Sequence, residues 1–224
     1  SKLDQQLANL EGTDTANTSS PSATVKKWYA PPKLLVKALL LVAGLVIPFV
    51  VLVRTSVYMY LGQGFNGWLA ITVGLAATVT LLLGYALYAT YKYNNRVGLH
   101  PYLVRGVLVL VTAFTLYGVL YYSSTNTKTD AINSYYRSLH PIMRVALTTI
   151  TLADSDLVVT DIQREPADYA QMGLPENQQS LHYVQPDGYV HAVDIRTRNR
   201  AEWKNWMTQA AFRAVGLQTI RHVG

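Results

Sequence analysis

The sequence predicts a three-helix transmembrane region, all-α, followed by a small α+β extracytoplasmic domain. Three observations lead there. Half of the residues are hydrophobic and only 14% are charged, well below the roughly 25% usual in soluble domains. Apolar runs at residues 34–53, 68–89 and 103–122 each approach the ~20 residues that carry a helix across a bilayer. After residue 122 the composition changes, and ten Lys/Arg there are balanced by ten Asp/Glu.

Residues 1–25 are rich in Ser, Thr, Asn, Gln and Ala. That composition buries too little apolar surface to offset the entropy of ordering, so a disordered cytoplasmic tail is expected. The tail lacks the basic start and apolar middle of a signal peptide, so no cleavage is expected. Residues 26–122 hold the three spans. Tyr58, Tyr60, Trp68, Tyr91, Tyr102 and Tyr121 lie at their edges, where aromatic rings sit at the headgroup level. Pro48 is expected to kink the first span. A buried soluble three-helix core is disfavoured, because too few other residues remain to wrap three such runs.

Cations set the orientation. Lys26, Lys27, Lys33 and Lys37 precede or open the first span, and Lys92, Arg96 and Arg105 flank the second connection, while residues 55–67 carry no charge. Lys/Arg-rich loops stay inside. The N-terminus is therefore expected in the cytoplasm of a bacterium, with the chain from Ser123 onward in the periplasm and the spans in the inner membrane. Arg54 and Arg105, near span ends, read as snorkelling anchors. Lys/Arg exceed Asp/Glu by nine to three through Tyr122, so the whole net charge of +6 belongs to the membrane half. Membrane lipid is thus an expected partner and nucleic acid is not. No cysteine is present, which excludes disulfides and thiolate chemistry.

Residues 123–136 read as a linker and 137–224 as the outer domain, long enough for one small core. Ser138 is the expected cap of a helix with Pro141 in its first turn. Ile142, Val145, Ala146 and Ile150 give that helix its apolar stripe. Strands are expected at 157–162, 189–195 and 217–223, and a helix at 201–215 that puts Trp203, Trp206, Met207 and Ala210 against the core or an interface. Arg196, Arg198 and Arg200 read as a solvated edge.

Chemistry is suggested only in this domain, which holds four of the five histidines. A catalytic zinc keeps three protein ligands and an open position for water, and His and Asp suit it. His191 and Asp194 are three apart, so on a regular strand they face opposite ways. Asp194 shares its face with small Ala192, and His182 precedes a turn with Pro186, Asp187 and Gly188. The favoured metal set is His182, Asp194 and His222. By spacing alone, ordinary surface or hydrogen-bonded roles for these residues stay open. Asp187 and Glu202 are possible general bases.

Ser180-Leu181-His182 followed by His191-Ala192-Val193-Asp194-Ile195 resembles the Ser-x-His and Gly-x-Ala-x-Asp pattern of zinc D-alanyl-D-alanine carboxypeptidases and L-alanyl-D-glutamate endopeptidases. Leu139-His140-Pro141 looks like their helix start, and the run from Val158 to Arg164 is similar to the strand ending in their active-site arginine. The resemblance spans about residues 139–222. It implies that His182 and Asp194 ligate Zn2+, that Arg164 is catalytic in holding substrate or oxyanion, and that His191 is not a ligand. The interval between His182 and Asp194 is longer than the family's, which implies an inserted turn at 185–189. The third ligand falls to His222, with no carboxylate just before it. The expected function is a membrane-anchored zinc peptidase acting on peptidoglycan stem peptides. The alternative is an inactive peptidase-like scaffold bound to other membrane subunits; a transport component fits poorly, since the spans lack a central ionisable residue.

Overall fold

The computed structural model describes residues 32–94, 98–171, 173, 175–177 and 179–221. The expected tail, Lys26, Lys27, Arg96 and His222 lie outside them. Two compact units are distinguished, Ser1–Leu40 and Leu41–Gly224; the packing described below is that of the second.

Three long helices come first: α1 (Pro32–Gln63), α2 (Gly67–Asn94) and α3 (Pro101–Leu120). Each is long and apolar enough to cross a membrane. The first two are longer than the apolar runs because polar and aromatic ends continue the helical geometry. Pro48 lies within α1, which runs on through it. Past Gln63, Gly64 takes φ +68°, a conformation natural only to glycine. The Asn66 side chain then accepts from the Leu69 N–H at 2.9 Å, satisfying a donor of the first turn of α2. Pro101 opens α3 at a position where a missing N–H costs nothing.

After α3 come a 3-10 turn (Ser124–Asn126), α4 (Asp130–Ser134), a second 3-10 turn (Tyr135–Ser138), α5 (Pro141–Ala153), β1 (Val159–Asp161), α6 (Pro166–Gln171), β2 (Asp194–Ile195) and α7 (Glu202–Ala214). The segment 123–136 is thus built of turns and a short helix, with Tyr136 buried. The two strands pair antiparallel. They are shorter than the alternating runs suggested, and Leu217–Arg221 forms no strand.

The position of α5 organises the fold. Its Ile142, Val145 and Ala146 join Leu52, Val53, Val57, Ala70, Ile71 and Val119 in one core. Its Leu147 and Ile150 belong to a second core with Leu139, Leu157, Val159, Ile162, Val190 and Phe212. One helix is therefore the shared wall between the long helices and the outer elements. This explains why burial extends beyond the expected stripe to Arg144 and Thr148. The cap of α5 is His140, without a side-chain cap bond; Ser138, expected in that role, instead donates to the Tyr135 carbonyl.

Several polar groups buried at this wall find partners, although Arg144 Nε does not. Arg144 reaches the Val119 carbonyl in the last turn of α3 at 2.8 Å, where a cation also meets the negative end of the helix dipole. Its guanidinium stands 5.9 Å from the Trp68 ring and 5.8 Å from that of Tyr189, within cation–π range. The buried Tyr136 hydroxyl donates to the Gly118 carbonyl. Burial pushes the Arg144 pKa down, yet a guanidinium stays charged at neutral pH. Arg144→Met fills similar volume but orphans the carbonyl, and is expected to cost about 1–3 kcal/mol. Thermal unfolding of the detergent-purified chain checks this; an unchanged midpoint would remove Arg144 from the account.

The α7 expectation needs correction. Trp203 and Trp206 are 60% and 62% exposed. The buried side is Asn205, Thr208 and Phe212, because polar partners wait there. Asn205 donates to the Thr197 carbonyl at 3.0 Å, and Thr208 stands by the Arg200–Asp154 ion pair. Arg200 therefore ties α7 to the end of α5 rather than facing water.

Candidate functional site

The short sheet places two carboxylates face to face: Asp161 on β1 pairs with Asp194 on β2 across the antiparallel ladder. Like charges in directly opposed positions repel, so a cation is needed nearby. Arg164, three residues past Asp161, supplies it. Its Nε donates to Asp161 Oδ2 at 2.5 Å, and its terminal nitrogen donates to Asp194 Oδ2 at 2.7 Å. Its backbone N–H donates to the His182 carbonyl at 3.1 Å, which draws the His182 segment alongside.

His182 is buried, and both ring nitrogens are engaged. Nδ1 lies 2.8 Å from the Ile162 carbonyl, and an acceptor there makes Nδ1 the protonated nitrogen of the neutral ring. Nε2 then faces Asp194 Oδ1 at 3.3 Å. The His182 N–H, at 3.3 Å from Ser180 Oγ, gives the Ser-x-His spacing a local purpose. The structure thus brings His182, Asp194 and Arg164 together and adds Asp161. His222 lies outside the described residues.

Asp161 was missed as a donor because it ends a strand chosen for its arginine. Asp161 ends β1 and Asp194 begins β2, and an antiparallel pair sets the end of one strand beside the start of the other. Asp161, His182 and Asp194 offer ligand atoms all within 4.8 Å of one another. The donor set fits a divalent cation. A histidine whose Nδ1–H is fixed by a carbonyl and whose Nε2 points at carboxylates has the orientation of metal-bound imidazoles.

Burial alone would lower the His182 pKa, but the Asp194 hydrogen bond and charge and the Ile162 carbonyl outweigh it, and the pKa is raised. A raised histidine pKa stabilises the fold fully below the unfolded value near 6.5, and this is lost as pH rises through the folded value. In chelator-treated protein, His182→Gln is therefore expected to lower the unfolding midpoint more at pH 6 than at pH 9. An equal loss at both would show that the charge on His182 contributes nothing.

The segment between His182 and Asp194 holds the expected turn. Gln185 N–H donates to the Tyr189 carbonyl and Gly188 N–H to the Gln185 carbonyl, each at 2.8 Å, with Gly188 at φ +84°. His191 is directed away from the His182 group, its Nε2 2.9 Å from Asp187 Oδ2. Of the possible bases, Asp187 is engaged there, and Glu202 makes a two-pronged pair with Arg221 at 2.5 and 2.6 Å. No family model matches the chain, and no curated protein or solved structure does.

Proposed function

We propose that the chain is a membrane-anchored zinc peptidase-like protein acting on peptidoglycan stem peptides, its outer elements on the periplasmic side of a bacterial inner membrane. One observation carries the reading: His182, Asp194 and Arg164, drawn from separate sequence blocks of the resemblance, stand within 3.3 Å of their nearest partner in the group. His182 and Asp194 would hold the zinc, which supplies an acidified water and a polarised carbonyl in such sites. Ile162 fixes the tautomer that leaves Nε2 free to ligate. Arg164 brings a permanent cation to the same spot, suited to a substrate carboxylate or a developing oxyanion. Spans with the inner ends of α2 and α3 bearing Lys92 and Arg105 support the inside-out orientation.

A second reading is favoured by Arg164 itself. It already pairs with both Asp161 and Asp194, so each carboxylate has a cationic partner without a metal. A non-catalytic domain that docks wall peptide or membrane partners would need no more.

The test is zinc content and muropeptide cleavage by the detergent-purified full chain, beside His182→Ala and Asp194→Ala. Cleavage and one equivalent of zinc, both lost in each variant, are expected. Zinc without cleavage moves the conclusion to the scaffold reading. Zinc unaffected by either variant ends the peptidase reading.

A further inference from the structure

A second group of ligand-type residues lies where the α1–α2 connection meets the outer loop. His140 caps α5, and Asp187 and His191 belong to the loop between His182 and β2. Both imidazoles direct Nε2 at one oxygen, Asp187 Oδ2: His191 at 2.9 Å and His140 at 3.8 Å. The three ligand atoms fall within 4.8 Å of one another. Tetrahedral zinc with bonds near 2.0–2.1 Å sets its ligand atoms roughly 3.3 Å apart, and the two observed separations bracket that value.

The surroundings suit a cation. Tyr60, near the end of α1, donates its hydroxyl to the same Asp187 oxygen at 3.3 Å, a contact of the kind that orients a metal-bound carboxylate. The His140 ring is 4.5 Å from that of Tyr60 and 4.9 Å from that of His191, centroid to centroid. Gly67 opens α2 beside it, and a Cβ there would come 2.6 Å from His140 Nε2. Glycine thus keeps the face of the nitrogen clear. His140 is only 3% exposed, whereas Asp187 is exposed and gives an ion a way in.

We propose that His140, Asp187 and His191 bind a second transition-metal dication of zinc-like chemistry, which staples the loop between His182 and β2 to the start of α5. Two imidazoles and one carboxylate suit an intermediate cation such as Zn2+ or Co2+ better than Ca2+ or Mg2+, which prefer all-oxygen sites. The parts it would join already touch, since the His140 N–H donates to the Val190 carbonyl at 2.9 Å. This site stands apart from the His182 group and does not depend on the peptidase reading.

The test uses the full chain in detergent, without a histidine tag, stripped by chelator and titrated with Zn2+ or Co2+. The background is His182→Ala, which disables the first group. That protein is expected to retain one equivalent, to show the visible absorption of tetrahedral Co2+, and to melt higher with metal than without. Adding His191→Gln or Asp187→Asn, both at less buried positions than His140, is expected to abolish the equivalent and the metal-dependent shift while leaving the metal-free midpoint near that of the parent. No metal bound by the His182→Ala protein would overturn the proposal, as would an equivalent that survives both added substitutions. Equal metal in wild type and His182→Ala would instead count against the first site alone.

Discussion

Replacing Arg164 with alanine is expected to destabilise the metal-free protein by about 2 kcal/mol at pH 7. That figure lies between the ~0–1 kcal/mol of an exposed pair and the ~3–5 kcal/mol lost when one partner of a buried pair is removed. The intermediate value follows from a guanidinium 21% exposed set against an Asp194 carboxylate 47% exposed. Without the arginine, Asp161 and Asp194 face each other across the ladder with no positive charge between them. One of them would then take up a proton more readily in the folded chain than in the unfolded one. A carboxylate pKa raised by folding makes the penalty grow as pH rises above about 4 and fade in acid. The unfolding midpoints of Arg164→Ala and wild type should therefore converge from pH 7 to pH 4.5. A gap of the same size at both would mean that Arg164 acts by packing on Tyr169, whose ring lies 5.9 Å from its guanidinium carbon. Under the zinc reading, added Zn2+ should also narrow the gap at pH 7, since the ion supplies the missing charge.

Gly74→Leu is expected to cost about 3 kcal/mol, the upper part of the range for overpacking. At Gly74 the backbones of α2 and α1 approach closely. An added Cβ would stand 2.5 Å from the Leu52 carbonyl oxygen and overlap the Ser56 hydroxyl. Ser56 donates to that same carbonyl at 2.7 Å, and Thr78 donates to the Gly74 carbonyl at 2.8 Å. Small residues allow this approach between helices in a bilayer, and a carbonyl cannot rotate aside as a flexible side chain can. Gly84→Leu is the control, because a Cβ at Gly84 meets nothing within 4 Å. Thermal unfolding in detergent should separate the two clearly. Equal midpoints would show that α1 and α2 do not depend on the Gly74 contact.

Much of this protein can be read from periodicity and composition. Runs of ~20 apolar residues without acids have few outcomes other than long helices, since each backbone polar group must be satisfied within its own segment in lipid. The place of Pro141 in the first turn of α5 and the neighbourhood of His182 with Asp194 were also legible. In each case a local rule or a motif in two blocks made the inference. Trp203 and Trp206 are not in the core, because a helix shows which residues share a face, but not which face finds partners.

What only the tertiary structure decided is where the outer elements rest. No local pattern says that α5 packs on the long helices through Val145 and on the outer core through Leu147. That choice depends on the summed fit of both sides, and it buries Arg144 and brings His140 to Tyr60. Likewise, Asp187 and His191 are four apart in sequence, but His140 lies 47 residues before Asp187, so their meeting required chain reversal at Gly188 and the docking of α5. Sequence determined the long helices, α5, α7 and one pair of candidate ligands; long-range packing, in which contacts distant along the chain compete by total buried area and satisfied polar groups, determined which charges face one another.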